Sequence, residues 1–403
     1  MERVWRRYSG EEFKKTVFNA LAENVNYKES NILGVPATFL DEQVFNQDAH
    51  FLKDAPFMST LVKNPNHIGC HTLGTSESYF AGTQKLEKQL IEICAIDILQ
   101  SEQDQFDGYV AAGGTEANLQ AMWMYRNYFI RKHNATKDEI CIICSEDSHY
   151  SMDKGSDIFS IDVMKVSVEE ASRSITEKAI SGIIEEAQSK GKKYFIVIAN
   201  MMTTMFGSID DISLYSKVLK DHSCTFKMHV DGAFGGFYYP FAYEDTNFSF
   251  KNEDVDSFTL DAHKMAQAPH GTGILICRKG LIGYTNTREA SYVEGEDYTM
   301  SGSRSGANAV AAWMILAKNG PYGWKEKIFI LQKRTQWMCD ELDALGVQYY
   351  RHPYSNIITI RSDEISADIA KQFGLVPDNH DSPNWFKMVI MEHVIVEKLM
   401  PLV

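Results

Sequence analysis

The chain has 403 residues, 44% of them apolar and 23% charged, with a formal net charge of -14. That is enough chain for a large domain and a smaller one, and the acidic balance argues against non-specific nucleic-acid binding, which rests on basic patches. No apolar run reaches the roughly 18 residues of a membrane span, and Met1-Glu2-Arg3-Val4-Trp5-Arg6-Arg7 lacks the apolar core of a secretory signal.

Residues 1–60 are mixed, with an amphipathic helix predicted over Glu11 to Asn24. Asn64 to Thr72 is a polar loop holding His67 and His71, which suits either plain turn chemistry or the lining of a pocket. Apolar residues at helical spacing (Leu86, Leu90, Ile91, Cys94, Ile98) predict a helix over Gln84 to Leu99. A strand over Phe106 to Ala112 then runs into Gly113-Gly114-Thr115-Glu116-Ala117-Asn118, with a helix from there to about Arg131. A strand, a Gly-rich turn and a helix start make an anion site, because glycines admit close approach and the first helical N–H groups are free. No Lys-Ser/Thr pair closes the turn, so it is not a Walker loop.

Beyond it the pattern alternates. Strands are predicted at Ile140–Cys144, Asp162–Val166, Tyr194–Asn200 and Thr225–Val230, and helices at Glu169–Lys190 and Ile212–Asp221. Such alternation implies an α/β domain with a mostly parallel sheet, in which sites form at the carboxyl ends of the strands. Polar groups fall there: His149 after one strand, Thr203 and Thr204 after another, Asp231 at the end of a third, and His263 and Lys264 after Ser257–Leu260. A lysine in such a cramped setting, flanked by Ala266, Ala268, Pro269 and Gly271, is a candidate nucleophile toward a carbonyl. Seven scattered cysteines suit a reducing compartment, and Cys141-Ile-Ile-Cys144 lies in an apolar run, where core packing is expected and no metal is. The rest of the chain is predicted as a helix to Asn319, a helix over Trp324–Leu345, strands at Asn356–Ile360 and Trp385–Met391, and a last helix at His393–Leu399.

A nucleophilic amine, an anion cradle, an imidazole, a hydroxyl pair and an aspartate on an apolar strand suit a flat cofactor with an aldehyde, a phosphate and a basic ring nitrogen. That describes pyridoxal 5'-phosphate (PLP).

Here the sequence resembles the fold-type-I PLP-dependent amino acid decarboxylases. The matching pieces are Gly113–Asn118, Ser145–Ser151, Thr203–Ile212, His229–Ala233, Asp261–Met265 and Gly302–Gly306, in the family's order over roughly residues 60–310. The Gly302–Gly306 and Ser148–Ser151 pieces are most similar to bacterial histidine decarboxylases, and Asp261–Pro269 to archaeal tyrosine/aspartate decarboxylases. The resemblance implies an α/β fold, with a mostly parallel central sheet in a large PLP-binding domain (61–305), a smaller α+β C-terminal domain (306–403) and an N-terminal segment (1–60).

It also implies residue roles. Lys264 is the Schiff-base lysine, Asp231 partners the pyridine nitrogen, Ala233 packs on the ring and His149 stacks on its face. Gly114, Thr115 and His263 contact the phosphate, and Thr204, ahead of Thr203, lies near the phenolic oxygen. Ser303 reaches the neighbouring subunit's phosphate, which makes the enzyme a homodimer with active sites at the subunit interface. Asp261 stands where some relatives have serine or asparagine, and an acidic side chain is a poor phosphate ligand. Tyr292, ahead of Tyr298, is the loop tyrosine that protonates the α-carbon. His67 and His71 are candidate substrate contacts for an acidic, imidazole or phenolic side chain. The implied reaction is α-decarboxylation of an L-amino acid in the cytoplasm, the alternative being another PLP-dependent carbon–carbon lyase or a decarboxylation-coupled aldehyde synthase.

Overall fold

The computed structural model describes residues 4–27, 29–34, 40–69, 78–286 and 297–402. The chain divides into two compact units, one of residues 1–134 with 249–322 and the other of 135–248 with 323–403. The described strands are β1 (Asn66–Ile68), β2 (Phe106–Ala111), β3 (Ile140–Ser145), β4 (Asp162–Val166), β5 (Tyr194–Asn200), β6 (Thr225–Gly232), β7 (Val255–Asp261), β8 (Gly273–Arg278), β9 (Ser303–Ser305), β10 (Tyr349–Tyr350), β11 (Ile357–Arg361), β12 (Val376–Pro377) and β13 (Trp385–Val389).

In the first unit, β8 lies between β2 and β7 and is antiparallel to both. Every residue of β2 and β7 is buried, as expected of strands covered on both faces. The helix Gly114–His133 starts directly after β2 and ends at Asn134 in the left-handed region, a usual asparagine stop. Gly273 permits this turn: a Cβ there would sit 2.2 Å from the Gly113 carbonyl carbon. The helix Gly10–Glu23 is capped by Ser9, whose hydroxyl accepts the Glu12 N–H. The predicted Gln84–Leu99 helix is α-helical over Ala81–Glu92 and widens to a π turn over Ile93–Ile98. A short antiparallel pair, β1 with β9, sets His67 opposite Arg304.

In the second unit, β6, β5, β3 and β4 pair in that order, all parallel. The helices Ser151–Phe159, Glu177–Ser189 and Ile212–Asp221 connect them. A separate antiparallel sheet, β10-β11-β13-β12, follows, and packs its apolar side on Met338, Cys339 and Leu342. Parallel strands joined by helices, followed by a small antiparallel sheet, are the expected α/β pattern.

Several boundaries differ from expectation. The predicted Glu169–Lys190 helix begins only at Glu177, because Thr176 caps it through the Ala179 N–H. Residues before it turn back instead, with Val168 bridged to Ile175. The last helix is confined to Val396–Leu399. The predicted break between two late helices is real: the run Gly306–Leu345 is interrupted at Gly320, with φ 64°, just before Pro321. β8 and the helix Ser151–Phe159 were not anticipated. Among the described residues no helix is long and apolar enough to cross a membrane.

Candidate active site

In the first unit the Gly-rich turn and the lysine segment come together. Oδ2 of Asp261 accepts the Gly114 N–H at 3.0 Å, and Oδ1 of the same carboxylate lies 2.6 Å from Nδ1 of His263. Asp261 is buried and His263 about one-fifth exposed. Burial pushes the Asp261 carboxyl up and the His263 imidazole down, each partly opposed by the charge of the other. Lys264 is half-buried. Its backbone is fixed by a tight turn in which Lys264 N–H donates to Asp261 O and Gln267 N–H to Lys264 O. The Ala262 and Ala268 N–H groups close the turn through Thr272 O and Ala262 O. Thr115 stands in the first turn of the helix from Gly114, where N–H groups have no intrahelical acceptor.

Beside this lies a buried charged network. Glu87 accepts the Val110 N–H at 2.9 Å and contacts Nδ1 of His67 and Nη1 of Arg304. Arg304 also donates to the carbonyls of Val110 and Gly69. Nε2 of His67 contacts Oγ1 of Thr83 at 2.9 Å. The His67 ring is wholly buried with both nitrogens engaged. The structure therefore gives it a place in this network. Ser303 is exposed on β9 beside Asn66, whose Nδ2 donates to its hydroxyl at 3.2 Å. Tyr298 lends its backbone carbonyl to Gln120 and Thr285. His71 and Tyr292 lie outside the described residues.

In the second unit polar groups cluster at strand ends. Asp231, next to last in β6, accepts the Ala233 N–H at 3.0 Å. His229, two residues earlier, is fully buried, and burial lowers its pKa to about 4, so it is neutral. Nδ1 of His149 accepts the Ser151 N–H at 3.2 Å and contacts its hydroxyl at 2.9 Å. Nδ1 thus serves as the ring's accepting nitrogen toward the Ser151 N–H. Thr203 is buried, its hydroxyl 2.7 Å from that of Ser208, whereas Thr204 is exposed and contributes its carbonyl to Lys387.

Asn200, which the sequence reading passed over, organises this region. Its Nδ2 donates to Asp210 at 2.7 Å, Ser148 at 2.8 Å and Ser145 at 3.2 Å. Asp210 also accepts the Asn200 N–H at 2.8 Å, and burial raises its carboxyl to about 7. A polar residue closing an apolar strand, as Asn200 closes Tyr194–Ala199, was the available signal.

A family model described as the pyridoxal-dependent decarboxylase conserved domain matches residues 67–347. The chain belongs to the pyridoxal-dependent decarboxylases. It is similar, at 49% identity over 402 residues, to a tryptophan decarboxylase of Clostridium sporogenes, covering 100% of this chain and 96% of that one. It is 28% identical over 413 residues to an L-aspartate decarboxylase of Thermococcus kodakarensis, with 98% and 95% covered. Among solved structures, an L-methionine decarboxylase from Streptomyces sp.590 matches with a TM-score of 0.74 at 20% identity, covering 88% of each chain. The fold is thus the fold-type-I one, and the protein is an amino acid decarboxylase whose cofactor is PLP. The donors within the first unit fit that cofactor: an amine on Lys264 and helix-start N–H groups beside Thr115.

Proposed function

We propose that this decarboxylase acts on an aromatic L-amino acid, L-tryptophan first, releasing the amine and carbon dioxide, and that it works as a cytoplasmic homodimer. The observation that carries the substrate is the 49% identity, end to end, to a relative named tryptophan decarboxylase. Relatives named for aspartate or tyrosine lie near 28%. Free cysteines, most of them buried, support a reducing compartment. Large exposed apolar side chains at Val44, Phe45, Phe51 and Met58 support a covering second copy.

When bound, PLP supplies an aldehyde that takes the substrate's amino group and a ring that accepts the electron pair left by departing carbon dioxide. Lys264 would hold the cofactor through its amine. Asp231 keeps a proton on the ring nitrogen. His149, its ring oriented by the Ser151 N–H, would cover the cofactor ring and shield the reacting carbon from water. Ala233 would pack on the ring, its small side chain leaving room for it. Thr115 and His263 hold the phosphate. Gly114 serves by closeness of backbone, since its N–H is given to Asp261. Thr204 or Thr203 approaches the phenolic oxygen, and Ser303 serves the partner subunit. Tyr292 returns a proton to the α-carbon, which steers the reaction away from the aldehyde-forming alternative.

The test is competition. With equal concentrations of tryptophan, phenylalanine, tyrosine, histidine, aspartate and glutamate, tryptamine is expected as the main amine, with carbon dioxide in equal yield. β-Alanine or γ-aminobutyrate as the main product would assign an acidic substrate instead. Aldehyde exceeding amine would favour the oxidative alternative.

A further inference from the structure

Asp261 is a buried acid beside an anion cradle, where it ought to repel a phosphate. Its geometry gives it other work. One oxygen takes the Gly114 N–H at 3.0 Å, and the other faces Nδ1 of His263 at 2.6 Å. Nδ1 meets the carboxylate as a close ion-pair contact without an aligned N–H···O bond, and the ring's opposite nitrogen, Nε2, is left without a protein partner among the described residues. The ring's Cε1 edge faces the Gly-rich turn, 4.0 Å from where a Cβ on Gly113 would stand. The other ionisable groups around the pair are Lys264 and His270, whose ring centroid is 4.8 Å from that of His263.

We propose that Asp261 is a positioning residue for the cofactor's phosphate: it fixes the ring of His263 and the first N–H of the Gly114–His133 helix, so that Nε2–H of His263 and the remaining free N–H groups of that turn serve one anion. The carboxylate is not itself a phosphate ligand. It stands 2.6 Å from Nδ1, so a phosphate at Nε2 would give the ring an anion at each of its two nitrogens. A phosphate dianion at Nε2 then favours the doubly protonated ring, which restores the charge balance that burial opposes. This explains why an acid is tolerated where a neutral side chain would serve as a direct contact.

The inference rests on the proposed roles of Lys264 and His263, so the experiment separates the two. The full-length apoprotein is titrated with PLP and, in parallel, with pyridoxal, which lacks the phosphate. Binding is followed by quenching of intrinsic fluorescence, and the modified lysine is mapped by mass spectrometry after borohydride reduction. The ratio of the two dissociation constants reads the grip on the phosphate alone. Asp261→Ala is expected to lower that ratio about tenfold, the scale of one lost charge-assisted hydrogen bond, with pyridoxal binding unchanged. His263→Ala should lower it similarly, and the double variant should be no worse than His263→Ala, because Asp261 acts through the ring.

If wild type binds neither ligand or its modified residue is not Lys264, the cofactor assignment fails. If wild type behaves as proposed and Asp261→Ala keeps the ratio, or its loss adds fully to that of His263→Ala, the positioning role fails. Asp261→Glu covers the case in which the alanine variant does not fold. It keeps the charge but displaces the carboxylate by one methylene, and an unchanged ratio there would equally overturn the proposal.

Discussion

At the scale of single residues, environment decides protonation. Asp210 is a carboxyl whose folded-state pKa, about 7, lies above its ordinary value because it is fully buried. The folded state therefore binds this proton more tightly than the unfolded state does. Stability from this group is fully present below the ordinary carboxylate range and is lost as pH rises toward and through 7. Asp210→Asn removes the titration. The stability advantage of wild type over that variant, measured by urea denaturation, is expected to shrink steadily from pH 5 to pH 8. An advantage that grows over that range would contradict the account. Lys264, Asp231 and His149 stood out in the sequence as candidates because each lies at or shortly after the end of an apolar strand, where an ionisable group is conspicuous. Asp261, Asn200 and Glu87 were not, because their meaning lies in partners remote along the chain. Asp261 meets Gly114 across 147 positions, and Glu87 meets Arg304 across 217.

At the scale of elements, close approach and buried charge hold the site's frame. Glu87 ties β2 through the Val110 N–H, β1 through His67 and β9 through Arg304. Arg304→Met would leave the Glu87 carboxylate without its guanidinium partner, and a broken buried pair costs about 3–5 kcal/mol. Chemical denaturation should show that loss, and a variant as stable as wild type would show that the network carries little. Gly273→Ala is a second expected failure, since its Cβ would collide with the Gly113 backbone and push the Gly-rich turn away from β8. The readout is weakened PLP binding alongside retained far-ultraviolet circular dichroism. Strands β4 and β5 were predicted to the residue. The Glu169–Lys190 helix was read too long, because the Thr176 cap and the turn before it outweighed helical spacing. β8, a short apolar run closed by Arg278, was not read as a strand at all.

At the scale of the whole molecule, the α/β pattern was visible in alternation alone, while the assembly is not written in any one motif. The proposed homodimer predicts a solution mass near twice 45.7 kDa. Placing charges at two of the exposed apolar positions, as in Phe51→Asp with Met58→Asp, should shift the protein toward monomer in sedimentation and lower activity together with it. Those positions are exposed in the single chain, so the substitutions spare its core. The central claim is a decarboxylase of aromatic amino acids that depends on Lys264. Its most direct test is carbon dioxide release from carboxyl-labelled L-tryptophan by the PLP-loaded protein and by Lys264→Ala. Rapid release by wild type, with stoichiometric tryptamine and a loss of at least about a thousandfold in the variant, is the predicted result. Equal release by both proteins, or none from tryptophan while aspartate or glutamate is turned over, would contradict it.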